Sequence, residues 1–190
     1  MTEPSDEDLV QRSCQGDVRA FDAIVERHQR TVYNLALRMV RDPDEASDVA
    51  QAVFLKAYEK LKSFDPKFKF FSWLYRIAVN EALNVLEMRK RFDGLEGIEP
   101  AVEADEGADD EAIGREQRIQ DSLMMLNVDH RAVIVLKHMQ GLSYQEIAQI
   151  LSLPEKTVKS RLFSARQTLR DILMRKGLGS HDSKRNASAD

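Results

Sequence analysis

The stretch LSYQEIAQILSLPEKTVKSRL, residues 142–162, has the pattern of two short helices joined by a tight turn. Ser143 and Glu146 form a Ser-x-x-Glu capping box, in which each side chain binds the other residue's free backbone N–H group, so a helix begins there. The segment 152–154 turns the chain, and Val158 lies where the second helix would pack onto the first. The stretch therefore predicts a helix-turn-helix, whose second helix enters the major groove of duplex DNA.

Basic and polar residues crowd the second of these helices. Its cations suit phosphates and guanine edges, because recognition helices read bases with their N-terminal half and hold the backbone with flanking charges. A solvated basic face on an ordinary helical hairpin is the alternative interpretation. The predicted duplex-contacting residues are Thr157, Lys159, Ser160, Arg161, Phe163, Ser164 and Arg166.

The net charge of −4 conceals a strong segregation of charge along the chain. Residues 1–92 carry 15 acidic and 15 basic side chains, residues 93–116 carry ten and one, and residues 117–190 carry seven and twelve. Affinity for phosphate depends on the local field, so the basic C-terminal part suits nucleic acid even though the whole chain has a pI near 5.7.

The acidic segment, residues 93–116, has the composition of a self-repelling flexible linker, with four glycines and few large apolar side chains. It divides the chain into an N-terminal domain, residues 1–92, and a C-terminal domain, residues 117–177. The last residues, 178–190, read as a disordered tail.

Both domains show helical periodicity. Apolar residues recur at intervals of three and four, which predicts helices over residues 18–41, 44–62, 72–91 and 129–139. Asp44 is the predicted N-cap of the second helix, and Gly141 suits a left-handed residue after the fourth. No stretch alternates with the period of a strand. The predicted fold is therefore all-α, with two helical domains joined by the acidic linker.

Several classes of function lack their usual signals. The sequence has no glycine-rich phosphate loop and no nucleophile or acid–base constellation, so we expect no enzymatic activity. The single cysteine, Cys14, cannot form an internal disulfide, and four scattered histidines show no metal-ligand spacing, so neither metal nor other cofactor is expected. The absence of a signal peptide or long apolar run predicts a cytoplasmic protein without direct membrane insertion.

The segment SFDPKFKFF, residues 63–71, interleaves lysines with aromatic rings before a helix that contains Trp73. Aromatic faces stack on unpaired bases and lysines hold phosphates, so this composition suits single-stranded DNA. The alternative for Phe70, Phe71 and Trp73 is a role as apolar plugs between helices.

The segments GLSYQEIAQIL and TVKSRLFSARQTL resemble region 4 of the extracytoplasmic-function (ECF) sigma factors, the small members of the sigma-70 family. Upstream, DPDEASDVAQAVFLKAYEKL is similar to region 2.2, and FFSWLYRIAVNEALNVLEMRKR is similar to regions 2.3 to 2.4. The early segment GDVRAFDAIVERHQRTVYNLALRMV fits the same family, and the pattern is closest to the sigma-E type. The resemblance covers nearly the whole chain apart from the linker and the tail.

The resemblance implies two partners at the N-terminal domain. Region 2.2 docks on the β′ clamp helices of core RNA polymerase, with Asp48, Gln51, Phe54 and Leu55 at the matching positions. Because Val49 and Val53 already supply a core row, Phe54 is expected to be an exposed anchor. The alternative is that Phe54 forms a second core row, since this helix is apolar over a wide arc.

The resemblance also implies that the segment 63–71 and the helix after it melt promoter DNA and hold a flipped base in a pocket. Phe64 and Asn80 lie at the matching positions of that pocket. The full predicted melting set is Phe64, Lys67, Lys69, Phe70, Phe71, Trp73 and Asn80. The resemblance also implies contact with the polymerase β flap and inhibition by an anti-sigma factor.

The sequence departs from the family pattern at three positions. Ser164 stands where the family often has arginine, Asn127 where it has proline, and Ala52 near an expected carboxylate. Two other functions remain as alternatives to a sigma factor that directs polymerase to promoters. One is a helix-turn-helix regulator that acts without polymerase, although residues 1–92 show no receiver-domain pattern. The other is a sigma-like decoy for an anti-sigma factor, which would not need the DNA-facing aromatics and cations.

Overall fold

Eight α-helices make up the two stretches of chain, residues 3–92 and 111–176, that the computed structural model describes. Neither stretch contains a β-strand, which confirms the predicted all-α class. The helices are α1 (Asp6–Cys14), α2 (Val18–Val40), α3 (Pro43–Lys60), α4 (Phe70–Phe92), α5 (Glu111–Met124), α6 (Val128–Ile134), α7 (Tyr144–Leu151) and α8 (Glu155–Arg175). A 3₁₀ turn, Leu61–Ser63, follows α3, and a π-helical segment, Val135–Met139, continues α6.

Side-chain caps set where the N-terminal helices begin. Ser5 forms a capping box with Asp8 at the start of α1. The sequence predicts the cap of α3 at Asp44, and that prediction is wrong. Asp42 is the N-cap and accepts a hydrogen bond from the N–H of Glu45, while Pro43 occupies the first turn, where a missing N–H costs nothing.

Helices α2, α3 and α4 pack around one apolar core, and α1 lies across α2. The short α1 has too few periodic positions to stand out in the sequence. It is fixed by Asp6, whose carboxylate binds His28 Nε2 at 2.9 Å and Arg27 Nη1 at 2.7 Å. The hydrogen bond with His28, followed by that with Arg27, lowers the pKa of Asp6 despite its partial burial.

Helices α5 to α8 form the C-terminal unit and contain the predicted helix-turn-helix. The capping box is present at the start of α7, with the Ser143 N–H donating to Glu146 Oε2 at 2.9 Å. Two residues near α7 have left-handed backbone conformations. Gly141, with φ +68°, precedes the Ser143 cap, and Ser152, with φ 54°, follows the last residue of α7. The segment 111–116, which the sequence pattern assigns to the linker, forms the first part of α5. The rest of that linker, 93–110, and the predicted tail lie outside the described residues.

The two units touch along a substantial surface, because α7 packs against α4 while α5 and α6 reach α2. Gln120 of α5 donates to the carbonyl oxygen of Leu37 at 3.1 Å and accepts from Arg38 Nη1 at 3.0 Å. Arg41, which follows α2, forms an ion pair with Asp121. A flexible tether predicts two separate domains, but the described chain places them in direct contact.

Arg131 of α6 lies at the centre of this contact and is only 4% exposed. Its guanidinium group donates to the carbonyl oxygens of Leu123, Met124 and Leu126, at 3.1, 3.0 and 3.2 Å, and to that of Met39. Burial lowers the pKa of Arg131 to about 10, so the side chain keeps its charge at neutral pH.

Replacing Arg131 with leucine should lower the free energy of unfolding by at least about 3 kcal/mol, since each buried acceptor left without a donor costs roughly 1–3 kcal/mol. Urea denaturation followed by circular dichroism measures this loss. Arg170→Leu removes an exposed arginine from α8 and should change stability by less than about 0.5 kcal/mol. Equal stability of the two variants would contradict the structural role assigned to Arg131.

Candidate DNA and polymerase interfaces

Helix α8 buries one face and presents the other. Val158, Leu162 and Ala165 are buried against the rest of the C-terminal unit. Among the residues predicted to contact duplex DNA, Thr157 and Arg161 are half-buried. The exposed members of that set are Lys159, Ser160, Phe163, Ser164 and Arg166. The set therefore lies outside the buried row of α8, spread over the accessible surface of the helix.

Each of the three cations in that set has a partner on the protein. Lys159 Nζ lies 2.7 Å from Glu155 Oε1, one helical turn earlier. Arg161 Nη1 lies 3.1 Å from Asp129 Oδ1. Arg166 Nε donates to His138 Nε2 at 3.1 Å, and burial together with Arg166 lowers the pKa of His138, which favours the neutral, accepting ring. Carboxylates therefore compensate the charges of Lys159 and Arg161, whereas Arg166 has a hydrogen-bond acceptor without negative charge.

Tyr144, the first residue of α7, joins this surface although the sequence pattern does not single it out. Its ring lies 4.9 Å from Lys137 Nζ and 5.5 Å from Lys159 Nζ, so two cations face one aromatic ring. Such contacts are worth about 0.5–1 kcal/mol at exposed sites and restrict where the ammonium groups lie. An aromatic residue directly after the Ser143 cap was the available signal.

The aromatic residues around the start of α4 form a packed cluster rather than a row of free rings. Phe64, Phe70 and Trp73 have ring centroids 5.6 Å apart in each pair. Phe70 is 1% exposed and also contacts the ring of His28, so its predicted contact with a base is wrong. Phe70 forms the buried side of the cluster, while Phe64 and Trp73 stay partly exposed.

The remaining predicted melting residues lie around this cluster. Lys67, Lys69 and Asn80 are exposed, and Phe71 is half-buried with Lys69 Nζ 5.4 Å from its ring centroid. Asn80 follows Trp73 by seven residues and therefore lies on the same face of α4. Arg76, between them, is exposed and lines a cavity with Phe64 and Trp73, so it adds a cation that sequence reasoning missed.

Helix α3 presents the third candidate surface. Asp48 and Gln51 are exposed, and Leu55 is 62% exposed, as a docking surface requires. Phe54 is only 9% exposed, so the prediction of an exposed anchor there is wrong. The apolar arc of α3 is wide enough for Phe54 to form a second core row beside Val53. Phe54 is also one of the residues that line a groove between α2 and α3.

Tyr58 belongs with the exposed residues of α3 and was not predicted. It is half exposed, and it follows Asp48, Gln51 and Leu55 at intervals that keep all four on one face of the helix. Its ring meets that of Phe21 edge-on at 4.9 Å, which fixes its direction. We call these four residues, Asp48, Gln51, Leu55 and Tyr58, the α3 stripe.

Among residues 3–92 and 111–176, no group of three or more His, Cys, Asp or Glu side chains is arranged to hold a metal ion. Within the same ranges, no helix is both long enough and apolar enough to cross a membrane.

Comparisons with known proteins assign both units. Residues 24–92 match the family model of Sigma-70 region 2, and residues 116–169 match that of Sigma-70 region 4. The RNA polymerase sigma-H factor of Pseudomonas aeruginosa is 37% identical, over 89% of this chain and 94% of its own. The ECF RNA polymerase sigma-E factor of Haemophilus influenzae is 39% identical, over 87% and 93%.

Solved structures show the same arrangement of helices. CnrH, in complex with the cytosolic domain of CnrY, matches with a TM-score of 0.71 and 28% identity, over 90% of this chain and 97% of its own. The sigma factor RpoE of Bartonella quintana, in complex with the anti-sigma factor NepR, matches with a TM-score of 0.65 and 27% identity, over 81% and 96%. With both conserved regions in order and relatives aligned over most of their length, the chain belongs to the ECF sigma factors of the sigma-70 family.

Proposed function

We propose that this ECF sigma factor directs core RNA polymerase to promoters by reading duplex DNA with α8 and by opening the duplex with the loop before α4. The observation that supports this division is the separation of two chemistries. Cations and polar groups lie on the exposed face of α8, and aromatic rings with flanking cations lie at the start of α4. We retain as a proposal the division into an N-terminal domain (1–92), a linker (93–116), a C-terminal domain (117–177) and a tail (178–190). Helix α5 begins within the range assigned to the linker.

Duplex binding by α8 would exchange internal partners for phosphates. Lys159 and Arg161 now face Glu155 and Asp129, and phosphate oxygens offer the same charge. Exposed ion pairs contribute little, so the exchange costs about 1 kcal/mol or less per pair. Counterion release from DNA then supplies a sequence-independent, salt-sensitive attraction. Ser164 would weaken direct base reading at its position, since its hydroxyl lacks the bidentate geometry of arginine.

Promoter melting requires that one base leave the stack, at a cost of a few kcal/mol. Stacking on Phe64 and Trp73 offsets that cost at about 1–3 kcal/mol per base, while Lys67, Lys69 and Arg76 hold the backbone. Asn80, on the same face as Trp73, offers an amide for the base edge. The process uses binding energy alone, so we propose that the chain catalyses no reaction of its own.

Docking on polymerase would use the α3 stripe. Leu55 replaces Phe54 as the proposed apolar anchor on the β′ clamp helices, because an anchor must be exposed before it binds. The C-terminal unit would meet the β flap. The likeness to CnrH and to RpoE of Bartonella quintana, each solved with a bound partner, supports an anti-sigma factor for this chain too. We propose that the chain acts in the cytoplasm, together with promoter DNA and polymerase.

The two alternatives explain less of the chain. A regulator that acts without polymerase would not need a Sigma-70 region 2 over residues 24–92. A decoy for an anti-sigma factor would not need the exposed cations of α8 or the partly exposed Phe64 and Trp73.

The docking assignment separates two neighbouring residues. Leu55→Ala should weaken binding to core polymerase while thermal stability stays within about 0.5 kcal/mol, because the side chain leaves no internal cavity. Phe54→Ala should instead destabilise the chain by about 3 kcal/mol, the usual cost of a large ring removed from a core. Fluorescence anisotropy measures binding to polymerase, and calorimetry measures the thermal unfolding of each variant. Normal polymerase affinity of Leu55→Ala would remove Leu55 from the interface.

The promoter assignment separates two steps of initiation. Lys159→Ala should lower promoter affinity and reduce the slope of its salt dependence by about one unit. The promoter complexes that still form should melt the DNA normally. Phe64→Ala and Asn80→Ala should let closed complexes assemble but block melting, and a pre-melted bubble template should partly rescue them. Permanganate reactivity of thymines on duplex and bubble promoters reports melting.

Asn84→Ala is the matched control for Asn80→Ala, since Asn84 is also exposed on α4, one turn further along the helix. It should melt promoters normally. If the Phe64 and Asn80 variants also open duplex promoters at the normal rate, these residues do not hold a flipped base.

A further inference from the structure

The π-helical segment Val135–Met139 contributes two side chains to the helix-turn-helix that follows it. Lys137 Nζ donates to the carbonyl oxygen of Leu142 at 2.9 Å, just before α7. His138 Nε2 accepts from Arg166 Nε on α8 at 3.1 Å. Short π-helical segments often occur at functional sites. Here the segment connects the end of α6 to the helix proposed to bind DNA.

Arg166 differs from the other cations of α8 in the chemistry of its partner. Lys159 and Arg161 pair with carboxylates at 2.7 and 3.1 Å, and a phosphate must displace those groups. Among residues 3–92 and 111–176, no carboxylate pairs with Arg166. A guanidinium group carries donors on Nε and on both terminal nitrogens, so Nη1 and Nη2 can bind a phosphate while Nε stays on His138. Arg166 follows Lys159 by seven residues, which places both on the same side of α8.

This contact requires a neutral His138 ring that carries its proton on Nδ1. The Nε2 atom accepts only through its lone pair, which protonation removes. Burial, followed by the positive charges of Arg166 on α8 and of Lys137 in the same segment, lowers the pKa of His138. The ring is therefore neutral at pH 7, and it becomes charged only below the ordinary pKa of histidine, about 6.5.

We propose that His138 is a positioning residue for DNA binding: it holds Arg166 through Nε and presents the terminal guanidinium nitrogens to a phosphate of duplex DNA. The proposal rests on the duplex contact proposed for α8 and adds a residue outside that helix which orients one of its cations. Orientation before binding raises affinity, because less side-chain freedom is lost when the phosphate binds. Protonation of His138 removes the acceptor and places a second cation beside Arg166. The contribution of Arg166 to affinity should therefore fall in mildly acidic solution.

The contribution of Arg166 is measured as the ratio of two dissociation constants, with and without the substitution Arg166→Ala. Fluorescence anisotropy gives both constants for the full-length chain at low salt, with a duplex pool of random sequence as the probe, since a phosphate contact is independent of sequence. The ratio should be roughly three- to tenfold at about pH 7.5. It should fall by about half or more at about pH 5.5, where His138 becomes protonated. Effects of pH on other groups cancel in the ratio.

Two substitutions of His138 remove its titration and differ in reach. Glutamine places its Oε1 as many bonds from Cα as histidine Nε2, so His138→Gln should keep the Arg166 ratio high at both pH values. The asparagine side chain is one bond shorter, so His138→Asn should give a low ratio at both. His138 is exposed, and neither substitution removes a core contact.

NMR titration of the His138 ring tests the contact without DNA. Arg166→Ala should raise the pKa of His138 toward its ordinary value, because a neighbouring cation is removed. Arg175→Ala removes an exposed cation more than two turns further along α8 and should leave that pKa unchanged.

An Arg166 ratio that is the same with His138, His138→Gln and His138→Asn at both pH values would overturn the positioning role. So would a pKa of His138 that Arg166→Ala does not raise. In either case a lower duplex affinity of Lys159→Ala would leave the proposed function of α8 intact. If Lys159→Ala and Arg166→Ala both bind duplex as tightly as the unsubstituted chain, the duplex contact itself fails, and the positioning role fails with it.

Discussion

The carboxyl end of α2 is the constraint on which the arrangement of the molecule depends. The last turn of a helix leaves four carbonyl oxygens without intrahelical donors, and when that end is covered by protein the donors must come from other groups of the protein. In this chain the carbonyl oxygens of residues 37–40 receive hydrogen bonds from Gln120, Arg131 and Arg89. Those donors come from α5, α6 and α4, so three helices converge on one helix end. The cationic donors also complement its partial negative charge.

Those hydrogen bonds are divided between contacts within one unit and contacts between the two units. Arg131 makes three of its hydrogen bonds within the C-terminal unit, to residues 123–126 at the end of α5, and only one to α2. If the units part, α5 and α6 keep their connection, and water can reach the freed carbonyls of α2. Arg89 remains on α2 because α4 belongs to the same unit, and it is also paired with Glu45. The contacts that depend on both units are therefore those of Gln120 with Leu37 and Arg38, of Arg41 with Asp121, and of Arg131 with Met39.

Local chemistry was readable from sequence, and long-range packing was not. The capping box of Ser143 and Glu146 and the left-handed Gly141 depend on near neighbours, so the helix-turn-helix follows from the sequence with correct boundaries. Phe54 shows the limit. An aromatic ring on a helix with a wide apolar face can be part of the core or an exposed anchor, depending on what packs against it. In this chain α2 packs beside Phe54, and the sequence does not reveal that contact. Arg131 reads as one more basic residue, because its partners are carbonyl oxygens that no side-chain pattern reveals.

The proposed DNA-facing cations share a feature that bears on specificity. Lys69, Lys159 and Arg161 each face a carboxylate of the same chain in the free protein. Nonspecific attraction to DNA comes from neutralising phosphates, so a cation that must first leave its own carboxylate contributes less of it. With the DNA contacts proposed above, this pairing would hold down binding to random duplex. Full attraction would then develop only where polymerase docking and promoter shape hold the chain long enough for phosphates to displace all three carboxylates. Internal pairing would thereby convert part of the electrostatic affinity into a requirement for the correct assembly.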